Sequence, residues 1–251
     1  MRPKLVVGNW KMHGSLSGNK NLLQGLVAGV GAIGEVSASV CVPFPYLAQA
    51  QQMLAATPIS WGAQNLSEHA QGAYTGEVAA AMLLEFGCRH VIVGHSERRA
   101  LHGETDAVVA SKFVAARSAG LVPILCVGET LAQRESGQAA EVVAAQMVAV
   151  LDKAGVGAFA GAVVAYEPVW AIGTGKTASP EQAQEVHAAI RALVAGRDEA
   201  IAAGLQILYG GSVKAQNAGE IFVKPDIDGG LVGGASLVVD DFLAICQAAS
   251  R

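Results

Sequence analysis

The sequence predicts an α/β protein built as a single closed (β/α)8 barrel, and three observations lead there. Eight short runs rich in Val, Ile and Leu recur along the chain, centred near Val6, Val40, Ile59, Ile92, Ile124, Val163, Ile207 and Leu231. The segments between them show helix-like spacing or helix-forming composition. The length of 251 residues suits one such barrel, at a repeat of about thirty residues per βα unit.

Each run is too short for a helix and too continuous for a strand with one face in water, so parallel strands covered on both faces fit best. Among the intervening segments, residues 141–151 and 181–193 are rich in Ala and other helix formers. Ser179-Pro180-Glu181 supplies the second with an N-cap, a first-turn Pro and an acidic residue facing the positive helix end. No Pro/Gly/Ser-rich linker divides the chain, so residues 1–251 read as one catalytic domain. An open doubly wound sheet is the alternative, because alternation alone does not separate the two; the count of eight strands favours closure.

Composition narrows the function. Hydrophobic residues make up 52% and charged residues 15%, which implies a sizeable buried core rather than a disordered chain. The 17 Lys and Arg against 21 Asp and Glu give a net charge of −4 without a basic stripe, so no nucleic-acid partner is expected. Residues 36–67 carry no charge, but Pro43, Pro45 and Pro58 interrupt them and their Gln and Ser residues are costly in hydrocarbon, so no membrane span is expected either. Met1-Arg2-Pro3-Lys4 runs straight into a strand-like segment without the features of a secretory signal, which predicts a cytoplasmic protein. Cys41, Cys88, Cys126 and Cys246 lie far apart and form no C-x-x-C pair, so reduced, buried thiols are expected rather than a disulfide or zinc framework. The sequon Asn65-Leu66-Ser67 has meaning only in a secreted chain.

The polar residues are more telling, because five apolar runs end in polar or Gly-rich motifs: Gly8-Asn9-Trp10-Lys11, Gly94-His95-Ser96-Glu97, Tyr166-Glu167-Pro168, Gly210-Gly211-Ser212 and Gly233-Gly234-Ala235-Ser236. The C-terminal ends of barrel strands form the rim that carries active sites. A lone Lys there is commonly a solvated charge, and a lone His a structural residue. Surface drift does not, however, gather a cation, an imidazole, a carboxylate and close-approaching backbone donors on one rim. Gly175-Lys176-Thr177 looks like the end of a P-loop, but Trp170 stands where its first Gly is required, and the nucleotide reading fails on spacing.

These motifs carry a resemblance. GNWKM at 8–12, VGHSERR at 93–99, YEPVWAIGTGK at 166–176 and YGGSV at 209–213 resemble the triosephosphate isomerase family in order and spacing, across essentially the whole chain. One departure is His13 after Met12, beside the expected subunit contact. The resemblance implies interconversion of dihydroxyacetone phosphate and glyceraldehyde 3-phosphate through an enediolate, with no redox or metal cofactor. Glu167 is then the base, His95 a neutral hydrogen-bond donor to the carbonyl oxygens, Lys11 the stabilising cation and Asn9 a lesser donor. This family is itself the well-known case of a histidine kept neutral by a helix N-terminus, so the expectation that a helix starting near Ser96 disfavours charged His95 is inherited with the resemblance.

Glu97 either holds Lys11 or pairs on the surface with Arg98 or Arg99. Gly173, Ser212, Gly233 and Gly234 resemble the phosphate cradle, where a missing Cβ lets N–H groups approach oxygens. Residues 168–178 resemble a hinged lid that excludes water, with Tyr209 bonding its far end near Ala178 and Ser96 in support. Gln64, Asn65 and the run to Glu77 resemble a protruding loop that clasps a second subunit, with Thr75 at its tip, which implies a homodimer. Two rivals remain: a barrel aldolase using Lys11 as a Schiff-base nucleophile, and a barrel that keeps the phosphate cradle without turnover.

Overall fold

Eight parallel strands close on themselves in sequence order in the computed structural model, which describes residues 2–173 and 177–250. They are β1 (Leu5–Asn9), β2 (Ser37–Val42), β3 (Ser60–Ala63), β4 (His90–Val93), β5 (Val122–Val127), β6 (Val163–Tyr166), β7 (Gln206–Tyr209) and β8 (Gly229–Val232), with β8 pairing back onto β1. The outer layer comprises α1 (Leu16–Gly29), α2 (Leu47–Leu54), α3 (Ala80–Glu85), α4 (Ser96–His102), α5 (Asp106–Ala119), α6 (Leu131–Glu135), α7 (Ala139–Ala154), α8 (Pro180–Ala195), α9 (Glu199–Gly204), α10 (Ala218–Phe222) and α11 (Val239–Ala249). Closure removes the open sheet from consideration.

Successive side chains on a strand point to opposite faces, so each run feeds two cores. Leu5, Val7, Cys41, Ile92, Ile124, Cys126, Val163, Ala165, Leu208 and Leu231 fill the barrel interior. Their neighbours Val6, Val40, Val91, Val93, Leu125, Val164, Ile207 and Val232 pack outward against the helices. Burial on both faces is why the strands read as continuous apolar runs.

The two helices read from composition form as α7 and α8. In α8 the buried residues Ala183, Val186, His187, Ile190 and Val194 recur at helical spacing, and the Ser179 hydroxyl accepts the Gln182 amide N–H. Gln182 reaches back to the Ser179 N–H, completing a reciprocal cap that adds to the predicted Ser-Pro-Glu start. The third strand departs from expectation: Ile59 lies just before it, and the strand itself is Ser60-Trp61-Gly62-Ala63. Small residues are needed there because a Cβ on Gly62 would stand 2.1 Å from the His90 carbonyl oxygen of the neighbouring strand.

All four cysteines are free and buried. Burial pushes the Cys88 and Cys246 thiols up to about 12 and raises Cys41 and Cys126 as well. Among the described residues no helix is long and apolar enough to cross a membrane.

The approach of Gly62 to His90 gives a test. Gly62→Ala forces backbone apart in a closed sheet, at a cost of about 3 kcal/mol by the usual penalty for overpacking. Urea unfolding would show this as a lowered midpoint at unchanged slope, and an unaltered midpoint would contradict it.

Candidate active site

The C-terminal strand ends surround a cavity of about 510 Å³ lined by Asn9, Lys11, His95, Glu167, Gly173, Ser212, Gly233 and Gly234 among others. Eight residues named from five separate sequence motifs and the segment after strand six thus converge on one space. Lid positions 174–176 lie outside the described residues.

Glu167 follows β6 and is only 2% exposed. Its Oε1 sits 2.9 Å from His95 Nε2, and its Oε2 accepts the Ser96 backbone N–H at 2.9 Å. Burial pushes its pKa up, but the charge and hydrogen bond of His95, helped by Ser96, outweigh this and leave it below the ordinary value. Two glycines let the chain run so close. A Cβ on Gly128 would stand 1.8 Å from the Glu167 carbonyl oxygen, and one on Gly210 2.9 Å from its Cγ.

His95 caps α4, its Nδ1 accepting the Glu97 N–H at 3.2 Å. With Nδ1 accepting the Glu97 N–H, the ring proton lies on Nε2 and faces the Glu167 carboxylate. Burial lowers the His95 pKa, but the Glu167 carboxylate more than reverses this, so the net shift is upward. The prediction that the helix end alone would disfavour the charged ring therefore needs correction: with Glu167 in contact, the carboxylate dominates.

Lys11 takes a left-handed backbone, φ +52°, rare for a side-chain-bearing residue. Its N–H is accepted by Asn9 Oδ1 at 3.1 Å, and its carbonyl accepts from Gln64 Nε2 at 2.9 Å. The ammonium pairs with Glu97. Arg98 and Arg99 are engaged elsewhere, with Glu104 at 2.6 Å and Asp106 at 2.5 Å, which settles the choice of partner for Glu97 in favour of Lys11.

Beside Lys11, where a Cβ would stand 3.5 Å from the Lys11 Cε, Gly233 leads into the short turn 234–237, tied by Ser236 Oγ and N–H to the Gly233 carbonyl at 2.7 and 2.8 Å. Ser212 is held by Asn217 Nδ2 on its carbonyl at 3.1 Å. Backbone amides and Lys11 flanking one cavity suit an anion, with Glu167 and His95 at its other side.

Tyr209 is buried beneath this rim, its pKa pushed up to about 12 by burial; the Ala178 amide favours its ionised form without forming a full hydrogen bond. Thr75 is exposed on the loop after β3 and does not line the cavity.

Sequence reasoning missed Glu129, which is fully buried after β5. Its Oε1 accepts Tyr166 Oη at 3.0 Å, Trp170 Nε1 at 2.8 Å and Arg134 Nη1 at 3.2 Å, and Arg134 lies 5.1 Å over the Trp170 ring. This clamp holds the chain on both sides of Glu167, at Tyr166 before it and Trp170 after it. Gly128-Glu129 ends the fifth apolar run, so the strand-end pattern that marked the other rim residues was available for it too.

A match to the family model described as Triosephosphate isomerase covers residues 4–249. The chain is 67% identical to the triosephosphate isomerase of Dechloromonas aromatica over 250 residues, the whole of both chains. It is 65% identical to that of Thiobacillus denitrificans over 251 residues, again all of each. The enzyme of the same name from Ralstonia nicotianae is 60% identical over 249 residues, 98% of this chain and 99% of its own.

The support for α4 is testable through Glu104, which bonds Arg98 and Lys112 at 2.6 Å each, while Lys112 reaches Asn65 at 2.7 Å. Burial raises the Glu104 pKa, but the two cations outweigh it and hold it low. A depressed folded pKa gives stability that is present above the unfolded value of about 4.3 and is lost as pH falls through the folded value. Glu104→Gln should cost about 3 kcal/mol at neutral pH by leaving Lys112 without its anion. The gap to the parent protein should narrow below about pH 4.3 in chemical denaturation. A gap independent of pH would refute the charged pair.

Proposed function

The chain belongs to the triosephosphate isomerase family, and from that premise we propose that it interconverts dihydroxyacetone phosphate and D-glyceraldehyde 3-phosphate, with residues 1–251 acting as one catalytic domain. The observation that carries the mechanism is the buried contact of Glu167 with His95 beside Lys11 and the glycine wall.

The phosphate takes the amides around Gly173, Ser212, Gly233 and Gly234, with the Lys11 side chain alongside Gly233 supplying the ammonium. That fixes the three-carbon body against Asn9, His95 and Glu167. A carbonyl oxygen of the substrate then replaces the Glu167 carboxylate as acceptor for the His95 Nε2–H. The freed carboxylate takes the proton from one carbon and returns it to the next, while His95 gives its Nε2 proton to the former carbonyl oxygen and takes one from the neighbouring hydroxyl, and Lys11 stabilises the enediolate charge between the two steps. Once Glu167 leaves the imidazole, its upward pull on the His95 pKa goes with it. Burial, the largest influence, then favours the neutral ring, with the Glu97 charge pulling the other way and the Lys11 charge in the same direction as burial.

The segment 168–178 acts as the lid. The Glu129 clamp on Trp170 and Tyr166 anchors its near end, and Tyr209 beside Ala178 receives its far end. Closure keeps water from the enediolate and strengthens each charge interaction around it.

The enzyme works in the cytoplasm as a homodimer. In support of the dimer, Met12 is 95% exposed, and Leu16, Tyr74, Met82 and Phe86 are further exposed apolar side chains following β1 and β3. His13, also exposed, stands beside Met12.

A coupled assay with glyceraldehyde 3-phosphate tests the activity directly, and absence of turnover would overturn it. Glu167→Asp retracts the base without removing its charge, so kcat should fall about a hundredfold with little change in KM. An unchanged kcat would remove Glu167 from the chemistry. Lys11→Met should raise KM and lower kcat, each about tenfold or more, since the cation serves bound substrate and transition state alike. Borohydride treatment with substrate should leave Lys11 unmodified, whereas a covalent adduct would favour the aldolase reading.

A further inference from the structure

Residues 69–77 are exposed, but the loop they form is not loosely built. The rings of His69 and Tyr74 lie face to face, with centroids 3.9 Å apart and planes within 4°. Gly72 passes close to the Tyr74 ring: its φ is +134°, and a Cβ there would stand 3.0 Å from Tyr74 Cε2. Backbone bonds complete the frame. Tyr74 N–H donates to the Gly72 carbonyl at 2.9 Å, and Glu77 N–H to the Tyr74 carbonyl at 3.0 Å. His69 N–H donates to Ser67 Oγ at 3.2 Å, and Ser67 N–H to the Val78 carbonyl at 2.8 Å closes the base. Tyr74 remains 45% exposed, so its ring is fixed by the loop itself rather than by a core.

We propose that His69 is a positioning residue for association: by stacking on Tyr74 it sets the shape of this loop within a single copy, so that Thr75 is presented ready to dock into a second copy of the chain. This rests on the homodimer reading above. A flexible loop must lose conformational freedom when it inserts into a partner, and that loss weakens binding. A loop already ordered by its own ring stack avoids most of it. The planar face of the imidazole is what the stack uses, so phenylalanine can replace it and alanine cannot.

Sedimentation across a range of protomer concentrations tests the idea, with His69→Ala and His69→Phe beside the parent protein. An aromatic pair accounts for up to about tenfold in an equilibrium constant. Because a two-fold dimer contains two such loops, His69→Ala should raise the dimer dissociation constant by about tenfold to a hundredfold. His69→Phe should stay within about threefold of the parent. Turnover per protomer should match the parent in both variants once the concentration exceeds the dissociation constant. An alanine variant as tightly dimeric as the parent would overturn the role of the stack. So would a phenylalanine variant as weak as alanine, which would point to a polar contact of the imidazole instead. A parent protein monomeric at every concentration would overturn the dimer reading itself, a result separable from the other two.

Discussion

A carboxylate withdrawn from water has to find its solvation within the protein, and the arrangement of the rim follows from meeting that need for Glu167. The Nε2 of His95 and the amide of Ser96 take the place of water on its two oxygens. Both come from the end of β4 and the start of α4, two strands away from the end of β6. Gly128, just after the intervening β5, has no side chain, which lets the backbone of Glu167 pass close beside it. A one-residue slip in register at β4, β5 or β6 would separate the carboxylate from its donors. The closed parallel barrel is therefore the geometric condition under which this ion can be buried.

Holding α4 in place draws on a wider set of charges. Arg98 and Arg99 are anchored on Glu104 and Asp106, and Lys112 ties Glu104 to Asn65 after β3. With the two arginines committed, Glu97 faces Lys11, and the ammonium is fixed between that carboxylate and a backbone held by Asn9 and Gln64. The unusual φ of Lys11 is tolerated because three side chains restrain it. Residues far from the cavity thus decide where the cation points.

Much of this was legible in the sequence because the relevant signals are local. Val-, Ile- and Leu-rich runs bounded by helical segments report strands buried on both faces, and seven of the eight predicted centres fall within a strand. The third missed, as Gly62 meets a restriction from β4 that is invisible along the chain. Rim residues stood out where polar motifs ended apolar runs. Glu129 went unnoticed because one carboxylate after a Gly carries no clear sign of its three partners, which come from residues 134, 166 and 170. The partner of Glu97 and the direction of the His95 shift had to await geometry. Each depends on distances between strand ends that no spacing encodes.

The four thiols bear on how the molecule ages. Attack on peroxide or on a disulfide requires the thiolate, and a pKa of about 12 leaves roughly one thiol in a hundred thousand ionised at pH 7. Burial withholds access as well. Cys126, the thiol influenced by the charge of Glu167, would be the most damaging to oxidise, since a sulfenic or sulfinic group would put bulk and polarity beneath the base. The packing that buries these thiols thus also shields this chain from oxidative inactivation for as long as it stays folded.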